Sequence, residues 1–498
     1  MWRAIAATQP LTHSMPSDPR PATATDGPWL RSHWPLGLVV LAGAVVRVLT
    51  MLGYPPALLF PDSWGYIATA YSGAFAGLPT VHPVGYPVLI RLLTLPDRSL
   101  AELVAFQHLA GIGVGVAIYL ALIRARLPRW AAAAAAALVL LDGYAITLEQ
   151  YVMSDTFFTL LMLAAALVLV WPFIGAAPRA TPTPRSLLAR GFVSGLLVAL
   201  ATLVREVSPF TIPVFLVYLV WVRAGWRPLA AFLVAAAIPL LCYSALIDHR
   251  FHVFGLTATP GWTLYGRVAG FADCNGVKLE PAARGLCETS AQRASHPRTP
   301  DWYIWGPSPA QRLFHPATQP VSKVAPTNQV LESFSRAIIR QEPLDFLSAT
   351  VGDFLRYFTP DATPYNDAVS ATTLPKSAGA EASSPATQRR DLPGVHPSVR
   401  APAGFVRAYR GVIHVPRPVL ALLALAAVLA VCLRVPARRE VFLLVGSALV
   451  ILLGTAASGG FALRYLLPAV PLLAIGGSLA VAQLSAGARR PRRARRAR

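Results

Sequence analysis

Six charged side chains lie at the ends of long apolar runs: the carboxylates Asp62, Glu149 and Asp155, and the guanidinium groups Arg47, Arg205 and Arg464. A carboxylate held at such a boundary can act as a general base or hold a cation. An arginine fork matches phosphate bidentately. Together they fit a site where an anionic phosphate rests beside a carboxylate. Asp62 stands in "LLFPDSWGYIATAYSGAFAGLPTVHPVGYPVLI", residues 58–90, followed by Ser63, Trp64, Tyr66 and Tyr71, then His82-Pro83 and Tyr86-Pro87. A blander account makes Asp62 and Ser63 caps of a short helix. The aromatic residues would serve equally as a stacking surface or as an interfacial belt. In "LEQYVMSDTFF", 148–158, Glu149 stands at the boundary and Asp155 about one turn inside. The bland account there is pairing with a neighbouring arginine.

Other chemistries lack their signatures. No DxD pair, P-loop, GxSxG or His/Cys metal cluster is present, so any chemistry must use carboxylates and arginines. No cofactor is called for, no metal ligands are assigned, and the need for a divalent metal is left open. Of four cysteines, Cys242 and Cys432 fall inside apolar runs and are expected as small buried hydrophobes. Cys274 and Cys287 lie close together in a polar segment and are expected to pair, closing a loop worth roughly 3 kcal/mol.

The elements that must position these groups follow from composition. The chain has 498 residues, of which 55% are hydrophobic and 13% charged, with a mean hydropathy of +0.51. Soluble domains carry about 25% charged residues. The apolar runs are long enough to cross roughly 30 Å of hydrocarbon as helices, and they lack the alternation of membrane strands. The expectation is an all-α polytopic membrane protein of about ten spans, near 34–53, 102–123, 129–148, 151–173, 190–204, 208–223, 228–247, 417–434, 440–457 and 464–484. Residues 1–33, rich in Pro, Ser and Thr, read as a disordered terminus without signal-peptide character. Residues 34–247 form a membrane core of seven spans with a re-entrant first loop, 54–101. Residues 248–416 form the large loop segment, in which 328–358 is helical with a new start at Pro343, and 360–404 is a flexible excursion. Three more spans occupy 417–484, ahead of the basic tail 485–498.

Charge placement orients the spans. "RARLPR", "PRATPTPRSLLAR", "RAGWRP", "RVPARRE" and the tail fall on one side, and all are rich in Arg. In the first loop, Asp62, Arg91, Asp97 and Arg98 cancel. Both termini are therefore expected in the cytoplasm, with 54–101 and 248–416 outside. These loops account for much of the net charge of +21. The seven arginines of the tail suit anionic lipid at about 1 kcal/mol each. Nucleic-acid binding is not expected, because no recognition fold accompanies them.

Several stretches resemble one family. "FPDSWGYI" resembles the catalytic-acid loop of GT-C superfamily membrane glycosyltransferases, in the dolichyl-phosphate-mannose mannosyltransferase-like and phospholipid-carrier-dependent branch. "HPVGYPVLI" is similar to that branch's His-Pro-Pro-Gly/Leu-Tyr-Pro segment, with Val84 in place of the second Pro. "LEQYVMSDTFFTLL" resembles the acidic segment opening its fourth span. "GLLVALATLVREVSP" is similar to its Gly-Leu…Leu-x-Arg-Pro pattern, with Glu206 where Pro is usual. "RYLLPAVPLLAI" resembles its final span. The family often has an acidic pair in the first loop, whereas this chain has Asp62 alone. The resemblance implies a plasma-membrane enzyme moving a hexose or pentose from a polyprenyl-phosphate-sugar donor to an external glycan, lipid or protein acceptor by inverting displacement. Asp62 would be the base. Arg205 and Arg464 would hold phosphate. His82 would either join them or stiffen the loop. Glu149, Asp155, Trp64, Tyr66 and Tyr86 would support the site. Two rival readings are a secondary transporter, for which inverted repeats are missing, and a catalytically silent GT-C-like scaffold.

The charge asymmetry yields a direct test. With single cysteines introduced at Ala180 and Ala380, only Ala380→Cys should label with an impermeant thiol reagent in intact cells. Labelling of Ala180→Cys would overturn the layout.

Overall fold

The structure is a computed structural model describing residues 32–71, 81–95, 97, 99–175, 182–316, 320–360, 374–376 and 397–496. The expectations for residues 1–31 and for most of 360–404 fall outside these. Residues 397–404 are described, and they lie against the end of the first helix. There the Ser398 and Arg400 N–H groups donate to the Pro55 and Gly53 carbonyls, each at 2.9 Å.

The chain is all-helical among the described residues, apart from one isolated parallel bridge between Leu58 and Tyr151. Among the described residues, six helices are long and apolar enough to cross a membrane: Trp34–Gly53, Leu100–Arg124, Pro184–Val204, Trp226–Phe251, Arg438–Ser458 and Ala469–Ala486. Two bent pairs, Arg129–Leu140 with Gly143–Gln150 and Ala403–Val412 with Arg417–Cys432, raise the number to eight. The remaining two expected spans appear as the shorter apolar helices Asp155–Val170 and Ser208–Trp221. All ten expected positions are thus largely helical, while six to eight have spanning length.

The first bent pair has a clear cause. The helix stops at Leu141 and restarts because the Asp142 side chain accepts from the Tyr144 and Ala145 N–H groups at 3.1 and 3.2 Å. Broken backbone in a bilayer needs such replacement partners. The restarted helix Gly143–Gln150 is buried along its whole length and carries Glu149 into the bundle. Arg47 grips that carboxylate with two hydrogen bonds of 2.7 and 2.8 Å. A third N–H group reaches the Leu140 carbonyl at 2.8 Å, and His108 binds the same carboxylate at 2.8 Å. Gly111 makes room for this network, since a Cβ there would sit 1.9 Å from Glu149 Oε1.

The segment after Trp226–Phe251 builds a second, smaller core. Helices Pro260–Ala269 and Val324–Gln341 pack Trp262, Tyr265, Leu331, Phe334 and Ile338 against Tyr303. Cys274 and Cys287 are bonded at its edge, with Cα atoms 6.1 Å apart. A further helix, Pro343–Arg356, starts at the proline, as the sequence leads one to expect.

The Arg47–Glu149 pair should behave as a coupled unit. Removing one partner of a buried pair costs about 3–5 kcal/mol. Arg47→Met and Glu149→Leu should each lower the thermal unfolding midpoint in detergent, and the double variant should lose clearly less than the sum. Additive losses would mean that the two side chains do not stabilise each other.

Candidate active site

Asp62 is brought to the site by the short helix Pro61–Tyr71. Its entry is pinned in two ways. Leu58 N–H donates to the Gln150 carbonyl at 2.9 Å, and Val152 N–H to the Leu58 carbonyl at 3.0 Å. The Ser63 hydroxyl accepts from Phe60 N–H and donates to the Val152 carbonyl, both at 2.8 Å. The loop thereby leans on the chain just ahead of Asp155. Asp62 does stand in the first turn of a helix, as the capping account required, yet its carboxylate points to other groups. Arg464 donates to Asp62 Oδ2 at 2.8 Å, and His82 Nε2 lies 3.8 Å from the same oxygen.

Asp62, Tyr66, His82, Arg205, Arg464 and Tyr465 share one cavity of about 320 Å³. Arg205, at the C-terminal end of Pro184–Val204, pairs with the fully buried Asp155. Its guanidinium carbon lies 4.8 Å from the Tyr465 ring centroid, and that of Arg464 lies 5.2 Å from the same ring. Two cations therefore share one aromatic ring, an attraction of about 0.5–1 kcal/mol for each at exposed sites and more when desolvated. Burial acts to raise the Asp62 carboxyl, but the Arg464 charge and the His82 contact outweigh it and hold the group well below the ordinary carboxylate range. Burial, reinforced by the Asp62 charge, pushes the Tyr66 phenol up, so it stays neutral.

The six charged groups resolve into three pairs that do not all meet. Arg464–Asp62 and Arg205–Asp155 belong to the cavity, although Asp155 acts only through Arg205 and does not line the wall. Glu149 stands apart, committed to Arg47 and His108. Trp64 is buried and does not line the cavity, so it offers no stacking surface there. Tyr86 is also buried. It supports the site from behind, with its ring edge-on to Tyr66 at 4.9 Å and its hydroxyl donating to Gln107 at 2.6 Å. Tyr66 in turn carries His82, at a ring separation of 4.8 Å.

Some residues of the site were not foreseen. Tyr465 follows Arg464 directly, and that adjacency was its signal. Glu206, conspicuous only as the residue after Arg205, is a second carboxylate on the wall. Thr257, Pro260, Thr263 and Leu264 come from the large loop segment and roof the cavity. Nothing in their types marks them as site residues. Asp301, from the same segment, has a carboxyl raised by burial and lies close enough to feel the Arg464 and Asp62 charges. Among the described residues, no three His, Cys, Asp or Glu side chains converge to hold a metal ion.

Comparison with solved structures returns weak likenesses. An oligosaccharyltransferase of Archaeoglobus fulgidus, tethered to an acceptor peptide containing the NVT sequon, is 14% identical with a TM-score of 0.39. The alignment covers 91% of this chain and 50% of that one, so the chain spans about half that protein's length. ArnT from Cupriavidus metallidurans in the apo state is 16% identical with a TM-score of 0.33, covering 89% of this chain and 77% of ArnT. The same protein bound to undecaprenyl phosphate is 17% identical with a TM-score of 0.32, covering 91% and 79%. Likenesses this low carry no weight for fold or function. Comparison with curated proteins found no match. The family comparison is of another kind. Its matched stretch takes in His82, Glu149, Asp155 and Arg205 and leaves Asp62 and Arg464 outside. In agreement with the GT-C resemblance read from the sequence, residues 69–257 match the family model of dolichyl-phosphate-mannose-protein mannosyltransferases.

Proposed function

We propose that the protein is a glycosyltransferase that moves a sugar from a polyprenyl-phosphate-sugar donor to an acceptor hydroxyl of the cell envelope, inverting the anomeric carbon. The observation that carries this reading is the single cavity in which a carboxylate, Asp62, faces two arginines sharing Tyr465. The acceptor oxygen would attack the anomeric carbon as the bond to the phosphate oxygen breaks. The hydroxyl proton passes to the Asp62 carboxylate, and the electron pair leaves with the phosphate. Arg205 and Arg464 offset that charge, which is where fixed cations help most. A carboxylate suffices as base because an oxocarbenium-like transition state acidifies the attacking hydroxyl late in the step.

The geometry poses one problem and suggests its answer. With Arg464 against it, Asp62 is a poor base. A donor phosphate would compete for that guanidinium and let the carboxylate recover basicity once the donor is in place. In this reading the protein lies in the plasma membrane with both termini cytoplasmic. The segment 248–416 is external, roofs the cavity and presents the acceptor, a glycan, lipid or protein.

Asp62→Asn keeps shape and removes basicity. Transfer from a lipid-phosphate-sugar donor should fall by about 10²–10⁴-fold, with donor binding unchanged or tighter, because the phosphate no longer competes with a carboxylate for Arg464. If that variant is folded and transfers at the wild-type rate while Glu206→Gln does not, the base is Glu206. Arg205→Ala and Arg464→Ala should weaken donor binding instead. Because burial alone raises the Asp62 carboxyl, Arg464→Ala should also move the acid limb of the rate toward higher pH. Unchanged donor affinity in both arginine variants would remove the phosphate role.

A further inference from the structure

The helix Pro343–Arg356 has two unlike faces. Inward, Asp353 is buried and accepts from Arg267 at 2.6 Å, and Thr350 is buried beside it. Outward, Leu344, Leu347, Val351 and Leu355 are exposed by 76, 55, 41 and 55%. At 100° per residue these four form one stripe, centred opposite Asp353. Single exposed leucines are ordinary in soluble proteins, but a contiguous apolar stripe marks an interaction surface.

The level of this helix is fixed by the span beside it. Tyr357 Oη lies 3.3 Å from Thr455 Oγ1, in the last turn of Arg438–Ser458. The Arg356 guanidinium lies 4.8 Å from the Phe461 ring centroid, just beyond that span. The Tyr357 and Phe461 rings are 5.0 Å apart. The stripe therefore sits where a spanning helix leaves the hydrocarbon. At the same end of that span, Leu453, two residues before Thr455, is itself exposed.

We propose that Pro343–Arg356 is a membrane-surface helix, seated on the lipid bilayer with Leu344, Leu347, Val351 and Leu355 in the boundary between headgroups and acyl chains. An amphipathic helix buries its apolar face about 5–10 Å into that boundary. The seat has a structural effect. Asp353 on this helix binds Arg267 on Pro260–Ala269, whose Pro260, Thr263 and Leu264 roof the cavity. The membrane seat is thus joined through one buried ion pair to the helix that lines the cavity.

The test uses the full chain with Cys242 and Cys432 replaced by alanine, reconstituted in phosphatidylcholine–phosphatidylglycerol vesicles. Leu347→Cys and, separately, Asp345→Cys are labelled with a nitroxide, and collision with oxygen is compared with collision with a water-soluble nickel chelate. The oxygen-to-chelate ratio should be several-fold higher at 347 than at 345. A ratio at 347 equal to that at 345 would place the stripe in water and overturn the proposal. A label at 347 that is immobile and reached by neither quencher would show a protein partner or a second copy there, which overturns it as well.

Discussion

A guanidinium taken out of water must be given a carboxylate, and this requirement organises the bundle. The desolvation penalty is several kcal/mol per ion even after relaxation, so each of the three boundary arginines is met by one acid. The pair formed by Arg47 and Glu149 is sealed among helices and further tied by His108 and the Leu140 carbonyl. The other two pairs face a cavity. The difference between scaffold and site is a difference in what surrounds the same chemical pairing. A sealed pair stabilises the helices that hold it. A pair on a cavity wall can exchange its partner for an incoming anion.

The cavity pairs depend on features with no charge of their own. Ser63 and the Leu58–Tyr151 bridge set where the Asp62 helix begins. Tyr86, edge-on to Tyr66, and Tyr66 in turn back His82. Tyr465 lies against both arginines. Aromatic rings suit this task because they tolerate the low dielectric and still attract cations through their faces.

Much of this was legible in the sequence. Apolar runs mark helices regardless of tertiary context, so all ten expected stretches are largely helical. Pro343 announced a helix start through its fixed φ and missing N–H. The three arginines and three acids stood out because charge beside hydrocarbon is costly. Their pairing did not stand out. Spacing along the chain carries no information on which arginine meets which acid across the bundle. Glu149 and Asp155 are six residues apart and looked alike, yet a broken helix turns Glu149 inward while Asp155 opens the next helix. The roof residues were unreadable for a simpler reason: threonine, proline and leucine acquire a role only from where the large loop segment folds back. Spanning length is met by six to eight helices among the described residues and not by all ten expected stretches, because Asp155–Val170 and Ser208–Trp221 are apolar enough but short.

The separation between partners also has a consequence in time. Asp155 and Arg205 are 50 residues apart, and Arg47 and Glu149 are 102 apart. Asp62 and Arg464 are separated by 402 residues. At about 5–20 residues per second of synthesis, the first two pairs can close within seconds to about 20 seconds. Asp62 waits roughly 20–80 seconds for its arginine. The scaffold pair can be complete while the ribosome is still working, and the cavity gains its second cation only when the turn ahead of the last apolar helix is made. A chain truncated before Arg464 would keep most of the bundle and leave the Asp62 carboxylate on the cavity wall without its arginine, a defect that a quality-control system reading unpaired charge at the membrane boundary could recognise.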